Sequence, residues 1–359
     1  MALHVRGVVL PDDEVRDLWL VGDRVSLDPV PDAETIATGG FILPGLVDAH
    51  CHIGIRPGGA PIEDIEEARE LARVDRAAGV LAIRDAGSPY PYPELDDDPD
   101  VPRLARSGRH VAPVRRYLKD IGVEVADADL PATLAEQAKL GNGWVKLVGD
   151  WIDRDAGDLA PAFAADQVAA AIERAHAAGA RVAAHTFSEA AVATLVRAGV
   201  DSVEHGTGLS LDLVDELARR GTALVPTMIN VQTFDAISAR AEAKFPRYAA
   251  HMRALRAGFP AVVRAAYEAG VRIHVGSDAG GGIGHGMAAR EMLLLHELAG
   301  MAPLDVLRAG SWGAREWLGF PGLVEGGLAD LVVYPADPRV DLSALLEPSR
   351  IVLRGRVVG

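Results

Sequence analysis

Residues 39–53 read GGFILPGLVDAHCHI, an apolar run that ends on two histidines separated by one residue. In an extended strand alternate side chains face opposite sides, so His50 and His52 point one way and Cys51 the other. Seven further runs of similar texture follow: AGVLAIRDAG (78–87), RHVAPV (109–114), GWVKLVG (143–149), ARVAAHTF (180–187), SVEHG (202–206), ALVPTM (223–228) and RIHVGSDA (272–279). Between them lie Ala-, Arg- and Glu-rich stretches of helical texture, clearest at 62–78, 166–178, 189–198, 211–220 and 288–298. Strands that alternate with helices run parallel through right-handed crossovers, and eight such α/β units close into a (β/α)8 TIM-like barrel. The competing architecture is an open, doubly wound sheet. Its Gly-rich turn would follow the first strand, whereas GGGIGHG at 280–286 comes late and reads as a loop of close backbone approach.

The two chain ends differ from this middle. HVRGVVL, DLWLVGD and RVSL near the start, and ADLVVYP and RIVLRGRVV near the finish, are short alternating segments punctuated by Pro, Asp and Gly. They read as antiparallel strands, so the two ends are expected to meet in one small sheet domain. A length of 359 residues fits one barrel-sized domain with an appendage. At 49% hydrophobic and 24% charged residues the chain can bury a large core, which excludes global disorder. Thirty-six Lys+Arg against 51 Asp+Glu leave a net charge of -15, which disfavours nucleic acid and anionic membrane as partners. Cys51 is the single cysteine, and the opening MALHVRGVVLPDDEV lacks the basic flank and apolar core of a secretory signal. A cytoplasmic setting is expected, and no window is apolar enough for a membrane span.

The chemistry collects at the carboxyl ends of the expected strands, the face on which barrel enzymes carry their sites. His50 and His52 end the first, His185 the fifth, His205 the sixth and Asp278 the eighth. Two imidazoles on one face suit a metal ion, although an isolated pair is more often a hydrogen-bonded part of the core. Lys146 is the most informative residue. The chain has four lysines among its 36 basic residues, and this one sits inside the apolar run WVKLVG. A buried ammonium is expensive unless it pairs with a carboxylate such as Asp150. Alternatively burial lowers its pKa, and the neutral amine adds carbon dioxide to become a carbamate that bridges two metal ions.

This set resembles the amidohydrolase superfamily, in particular its binuclear members with a carboxylated lysine. The resemblance runs from GGFILPGLVDAHCHI through the internal ligands to GLVEGGLADLVVYPADP at 322–338. Within the superfamily the chain is most similar to the prolidase-like and imidazolonepropionase-like branch. The resemblance implies a small β-sandwich domain made of residues 1–42 and 321–359, and a hydrolase barrel of residues 43–320. It implies that His50, His52 and Asp278 hold the more buried ion, that His185 and His205 hold the more exposed one, and that Lys146, as N6-carboxylysine, bridges them. The donors suit Zn2+, with manganese, cobalt and iron as alternatives. Two such ions activate a bridging hydroxide, and Asp278 becomes the catalytic proton carrier. The substrate implied is an amide, a dipeptide or N-acyl amino acid. A cyclic amide, lactone or phosphotriester is the alternative on the same centre, and a non-catalytic scaffold the remote one, weakened by the retention of all six ligand positions.

Substrate recognition is expected in the loops after the strands. His285 in GGGIGHG, His110 with Arg115, Arg116 and Tyr117 after the third strand, and Asp150 with Trp151 after Lys146 are the candidates. A guanidinium there suits a substrate carboxylate, with surface charge the competing reading for at least one arginine. Asp85 reads either as a support for a metal-bound histidine or as an ordinary strand-end carboxylate. Residues 236–264 read as a helical insertion that covers the site or meets another subunit, and a homo-oligomer remains open.

Overall fold

The computed structural model describes residues 2–90 and 92–359. Four strands open the chain: β1 (Leu3–Val9), β2 (Glu14–Val21), β3 (Arg24–Ser26) and β4 (Glu34–Pro44). The middle begins with β5 (Leu46–Cys51), α1 (Ile65–Ala77), β6 (Val80–Asp85), β7 (Arg103–Arg106), β8 (Val111–Pro113), β9 (Val123–Val125), α2 (Leu130–Ala138) and β10 (Trp144–Val148). A hairpin, β11 (Asp150–Asp153) and β12 (Asp158–Pro161), precedes α3 (Ala165–Ala177), β13 (Arg181–Thr186), α4 (Glu189–Ala198), β14 (Ser202–His205), α5 (Leu211–Arg220) and β15 (Ala223–Val225). Helices α6 (Met228–Val231), α7 (Phe234–Ala241), α8 (Pro246–Glu268), α9 (Ala288–Ala299), α10 (Pro303–Gly310) and α11 (Trp312–Leu318) follow, and β16 (Leu331–Tyr334), β17 (Arg350–Leu353) and β18 (Arg356–Val357) close the chain.

Local chemistry explains the helix boundaries. Asp64 accepts from the Glu67 amide at the start of α1, and Ser188 accepts from the Ala191 amide at the start of α4. Helices α4 and α5 stop at Gly199 and Gly221, whose positive φ of 86° and 68° reverses the chain. Their buried stripes, Val192–Leu195–Val196 and Leu213–Val214–Leu217, join the large central core.

The architecture is α/β with parallel sheets. One holds β5-β6-β7, and another β15-β14-β13-β10-β8-β9. Between their edges the segment 272–279 bonds to both sides. The Leu224 amide donates to Arg272 O, and the His274 amide returns to Leu224 O. On the other flank Ala49 N donates to Val275 O, and Asp278 N to His50 O. This expected eighth strand is therefore held by single bridges rather than by a long ladder. The expected third strand also differs. Only Val111–Pro113 of it forms a strand, β8, and an unexpected strand, β7 with the sequence RLAR, precedes it. Its arginines hide it from a hydrophobic pattern, because Arg103 is neutralised by Asp330 and Arg106 by Asp96, partners distant or irregular in sequence.

Both chain ends meet, as expected, in one seven-stranded sheet of order β18-β17-β16-β4-β1-β2-β3. Where a sandwich was expected, the strands form one continuous hydrogen-bonded sheet. Its residues alternate between two cores: Ile42, Leu331, Val333 and Val352 join a cluster with Val5, Leu18 and Leu20, while Leu43, Val332, Tyr334 and Leu353 join the large central core. The 236–264 insertion resolves into α7 and α8. Among the described residues, no helix is long and apolar enough to cross a membrane.

Candidate metal centre

Parallel register brings the expected ligands together. Val148 of β10 pairs with His185 of β13, and His185 with Glu204 of β14, so Lys146, His185 and His205 lie at neighbouring strand ends. His50 and His52 close β5, and Asp278 lies beside them because its amide donates to His50 O at 2.7 Å. Asp278 Oδ1 is 3.2 Å from His50 Nε2 and 3.1 Å from His52 Nε2. Lys146 Nζ is 3.3 Å from His50 Nε2. His205 Nε2 and His185 Nδ1 approach to 3.0 Å, and the His50 and His205 rings are 5.0 Å apart, so the two groups adjoin. All six residues expected as ligands gather here. Asp150 does not pair with Lys146. It accepts from the Phe187 and Ser188 amides and from the Thr186 hydroxyl.

The opposite ring atoms are fixed by other groups, most of which carry no signal in the sequence. His52 Nδ1 donates to Gly87 O at 2.8 Å. That turn is held by Asp85, which accepts from the Gly87 amide and the Ser88 hydroxyl, so Asp85 supports His52 through the backbone. His50 Nδ1 is 2.7 Å from Glu204 Oε2, which also receives Arg84 at 2.6 Å. Burial alone would raise the Glu204 carboxyl, but Arg84 and His50 hold it well below the ordinary range. His205 Nδ1 is 2.7 Å from the Thr227 hydroxyl, and Asn230 Nδ2 donates to Asp278 Oδ2 at 2.6 Å. Thr227 precedes α6 and Asn230 lies within it, and the Met228 and Ile229 amides of that helix donate to buried Glu291 of α9. Burial pushes the Glu291 carboxyl up to about 8. His205, Thr227 and Asp278 have positive φ (63°, 48° and 59°), a strained backbone for non-glycine residues.

These contacts decide what the centre can hold. A carbonyl only accepts, so His52 bears its proton on Nδ1, and an ionised Glu204 places the His50 proton on Nδ1 likewise. Two Nε2 lone pairs then face a carboxylate oxygen at close range. Such an arrangement repels itself unless a cation stands among the donors, so the residues fit a divalent ion. Burial brings Lys146 down to about 8, opposed by Glu204.

The residues considered for substrate separate. Tyr117 packs against Trp151 (4.8 Å between ring centroids), His110 (5.4 Å) and His185 (6.2 Å), and Trp151 lies 5.2 Å from His185. His110 is buried and stacks on His52 at 5.1 Å, and burial holds its pKa well below normal. Arg115 is exposed, and Arg116 donates to Trp151 O, Ala160 O and Pro161 O, which ties the hairpin down. Helix α8 braces that hairpin from outside through His251 and Asp158 at 2.9 Å. His285 stays apart from the group. It lies with Cys51 on the helix side of β5, where its Nδ1 pairs with Asp75 at 2.7 Å.

The sequence profile of the amidohydrolase family matches residues 156–358, more than half of the chain. The chain belongs to the amidohydrolase family. This amidohydrolase is similar to an uncharacterized protein of Mycobacterium tuberculosis strain H37Rv, 50% identical over 358 residues that cover 99% of this chain and 96% of the relative. Among solved structures, a Xaa-Pro dipeptidase with bound methionine in its active site has a TM-score of 0.83 at 23% identity and covers 100% of both chains. The ochratoxinase of Aspergillus niger has a TM-score of 0.80 at 18% identity and covers 99% of this chain and 95% of that one. At such identities the likeness is one of fold.

Proposed function

We propose that this amidohydrolase hydrolyses the amide C–N bond of a dipeptide or N-acyl amino acid, as a binuclear metal-dependent enzyme of the cytoplasm. The observation that carries the reading is the convergence of proton-free imidazole nitrogens on the Asp278 carboxylate, with a second imidazole pair beside it. The names of its fold relatives, a dipeptidase and an ochratoxinase, support the hydrolase class. In this reading β5, β6, β7 with β8, β10, β13, β14, β15 and residues 272–279 are the eight staves of a closed barrel spanning 43–320. Residues 1–42 and 321–359 form the small β domain beside it, built on the seven-stranded sheet.

His50, His52 and Asp278 would hold one ion, His185 and His205 a second. When bound, divalent ions, zinc by their N/O donors, supply Lewis acidity toward a carbonyl oxygen and lower the pKa of water toward neutrality. Asp278 keeps Oδ2 on Asn230, which fixes the carboxylate to take a proton from the attacking water and deliver it to the leaving nitrogen. Lys146, with a pKa near 8, has a neutral fraction whose nitrogen adds carbon dioxide and loses a proton to give N6-carboxylysine between the two groups. Tyr117 and Trp151 wall the mouth beside His185 and shield the reaction from water.

The test is elemental analysis of native protein beside Lys146→Ala, purified with bicarbonate and without chelator, together with amine release from dipeptide and N-acyl amino acid libraries. About two ions in the native protein, a marked loss in the variant, and metal-dependent amine release are the expected results. One ion in both proteins would make Lys146 structural and overturn the bridged centre.

A further inference from the structure

A cavity of about 590 Å³ opens at the other end of the strands, among Arg181 (the first residue of β13), Arg272, His274, Arg308 of α10 and Trp317 of α11. That volume lies in the range of small-molecule sites. Its charge runs against that of the chain. The protein has a net charge of -15, yet three guanidinium groups line this cavity against the carboxylates of Asp305 and Glu316. Asp305 already accepts the Tyr267 hydroxyl at 2.6 Å, and Glu316 is exposed.

The guanidinium groups are not equivalent. Arg181 donates to Trp317 O at 2.8 Å and lies 4.1 Å over the Trp144 ring, so it belongs to the wall. Arg272 and Arg308 are exposed, and among the described residues neither has a carboxylate oxygen within 4.0 Å. Below them His274 is 6% exposed, and neither of its ring nitrogens has a hydrogen-bond partner. The His274 ring stacks on half-buried Trp317 at 4.2 Å and 18°, and Trp144 meets the same indole at 4.8 Å, so an aromatic wall stands beside the arginines.

We propose that this cavity binds a small organic anion with a flat ring, its acidic group held by Arg272 and Arg308 and its ring lying against Trp317. Guanidinium groups suit carboxylate or phosphate oxygens, and an indole suits a planar ring. The site is separate from the metal centre and independent of the reaction assigned to it.

Calorimetric titration of the metal-loaded full chain with phenyl phosphate tests this, with inorganic phosphate and phenol as probes lacking the ring or the charge. Phosphate oxygens also suit the metal centre, so the Arg272→Ala/Arg308→Ala variant identifies the event that belongs to the cavity. Both side chains are exposed, and unchanged metal content verifies that the centre is intact. The expected result is a saturable one-to-one event that the double variant weakens about tenfold or more, with inorganic phosphate and phenol each weaker in that event by about tenfold. Equal phenyl phosphate affinity in native and variant protein, or no saturable event, would overturn the site. Inorganic phosphate binding as tightly as phenyl phosphate would overturn the contact with Trp317. Arginines that merely stabilise helix ends would lower the melting temperature of the variant and leave the titration unchanged.

Discussion

The two faces of β5 carry similar atoms to different ends. On the inner face His50 and His52 meet Asp278, and on the outer face Cys51 meets Asp75 and His285; in each set the donor atoms lie within 4.8 Å of one another. In the inner set His52 Nδ1 is bonded to Gly87 O, and His50 Nδ1 faces the Glu204 carboxylate at 2.7 Å, so both Nε2 atoms are left to Asp278. In the outer set the carboxylate is occupied: His285 donates to Asp75 Oδ2, and the Gly286 amide donates to Asp75 Oδ1 at 2.6 Å. Asp75 outweighs the burial that would lower His285 and holds its pKa above 6.5. Proximity of ligand atoms is thus common to both faces, and the proton inventory separates a cation cradle from a buried ion pair that fastens the 280–286 loop to α1.

Substitutions can break this contrast. Asp278→Asn on the inner face should lower kcat by about 10²–10⁴-fold with little change in KM, as expected for loss of a proton carrier; an unchanged kcat would remove Asp278 from that role. Asp75→Ala on the outer face should cost about 3–5 kcal/mol in urea unfolding, because it strands a buried His285. Its metal content should match that of native protein, and a lost ion would turn the outer face into a second metal site.

The two faces should also respond to pH with opposite sign. Lys146 has its folded pKa lowered from 10.5 to about 8, so the folded state sheds a proton that the unfolded chain retains between those values. In metal-free, bicarbonate-free buffer, native protein should therefore gain stability over Lys146→Met as pH rises from 8 to 10.5, by about 3 kcal/mol. A difference that stays flat would mean that the buried amine keeps its proton. His285 is raised, so its contribution is full below pH 6.5 and is lost as pH rises through its folded value, a slope that Asp75→Ala should abolish. The smallest effect belongs to Cys51→Ala, about 1 kcal/mol with metal content unchanged, measured by thermal unfolding and elemental analysis.

Much of the centre was legible because its residues are exceptional locally. A lysine within WVKLVG and histidines at the ends of apolar runs violate the composition of their surroundings. Glu204, Arg84, Thr227, Asn230 and Glu291 were not legible. Glu204 stands next to His205 in SVEHG, where it reads as an ordinary polar residue, and only the β13–β14 register and a bond 120 residues back to Arg84 make it the anchor of His50. Strand β7 escaped for the same reason, since its arginines are apolar-compatible only once Asp330 and Asp96 neutralise them. His285 and Arg116 carried the right chemistry for a site, but Asp75 holds the one and the carbonyls of the hairpin hold the other.

The sequence by itself determined the parallel α/β alternation, the meeting of the two β-rich ends and the six inward donors, because hydrophobic period and strand alternation are local properties. The tertiary structure decided which donors are free of protons, which carboxylates are already paired, and where arginines gather without partners. Those outcomes depend on contacts between residues tens to hundreds of positions apart, and a local pattern holds no record of them.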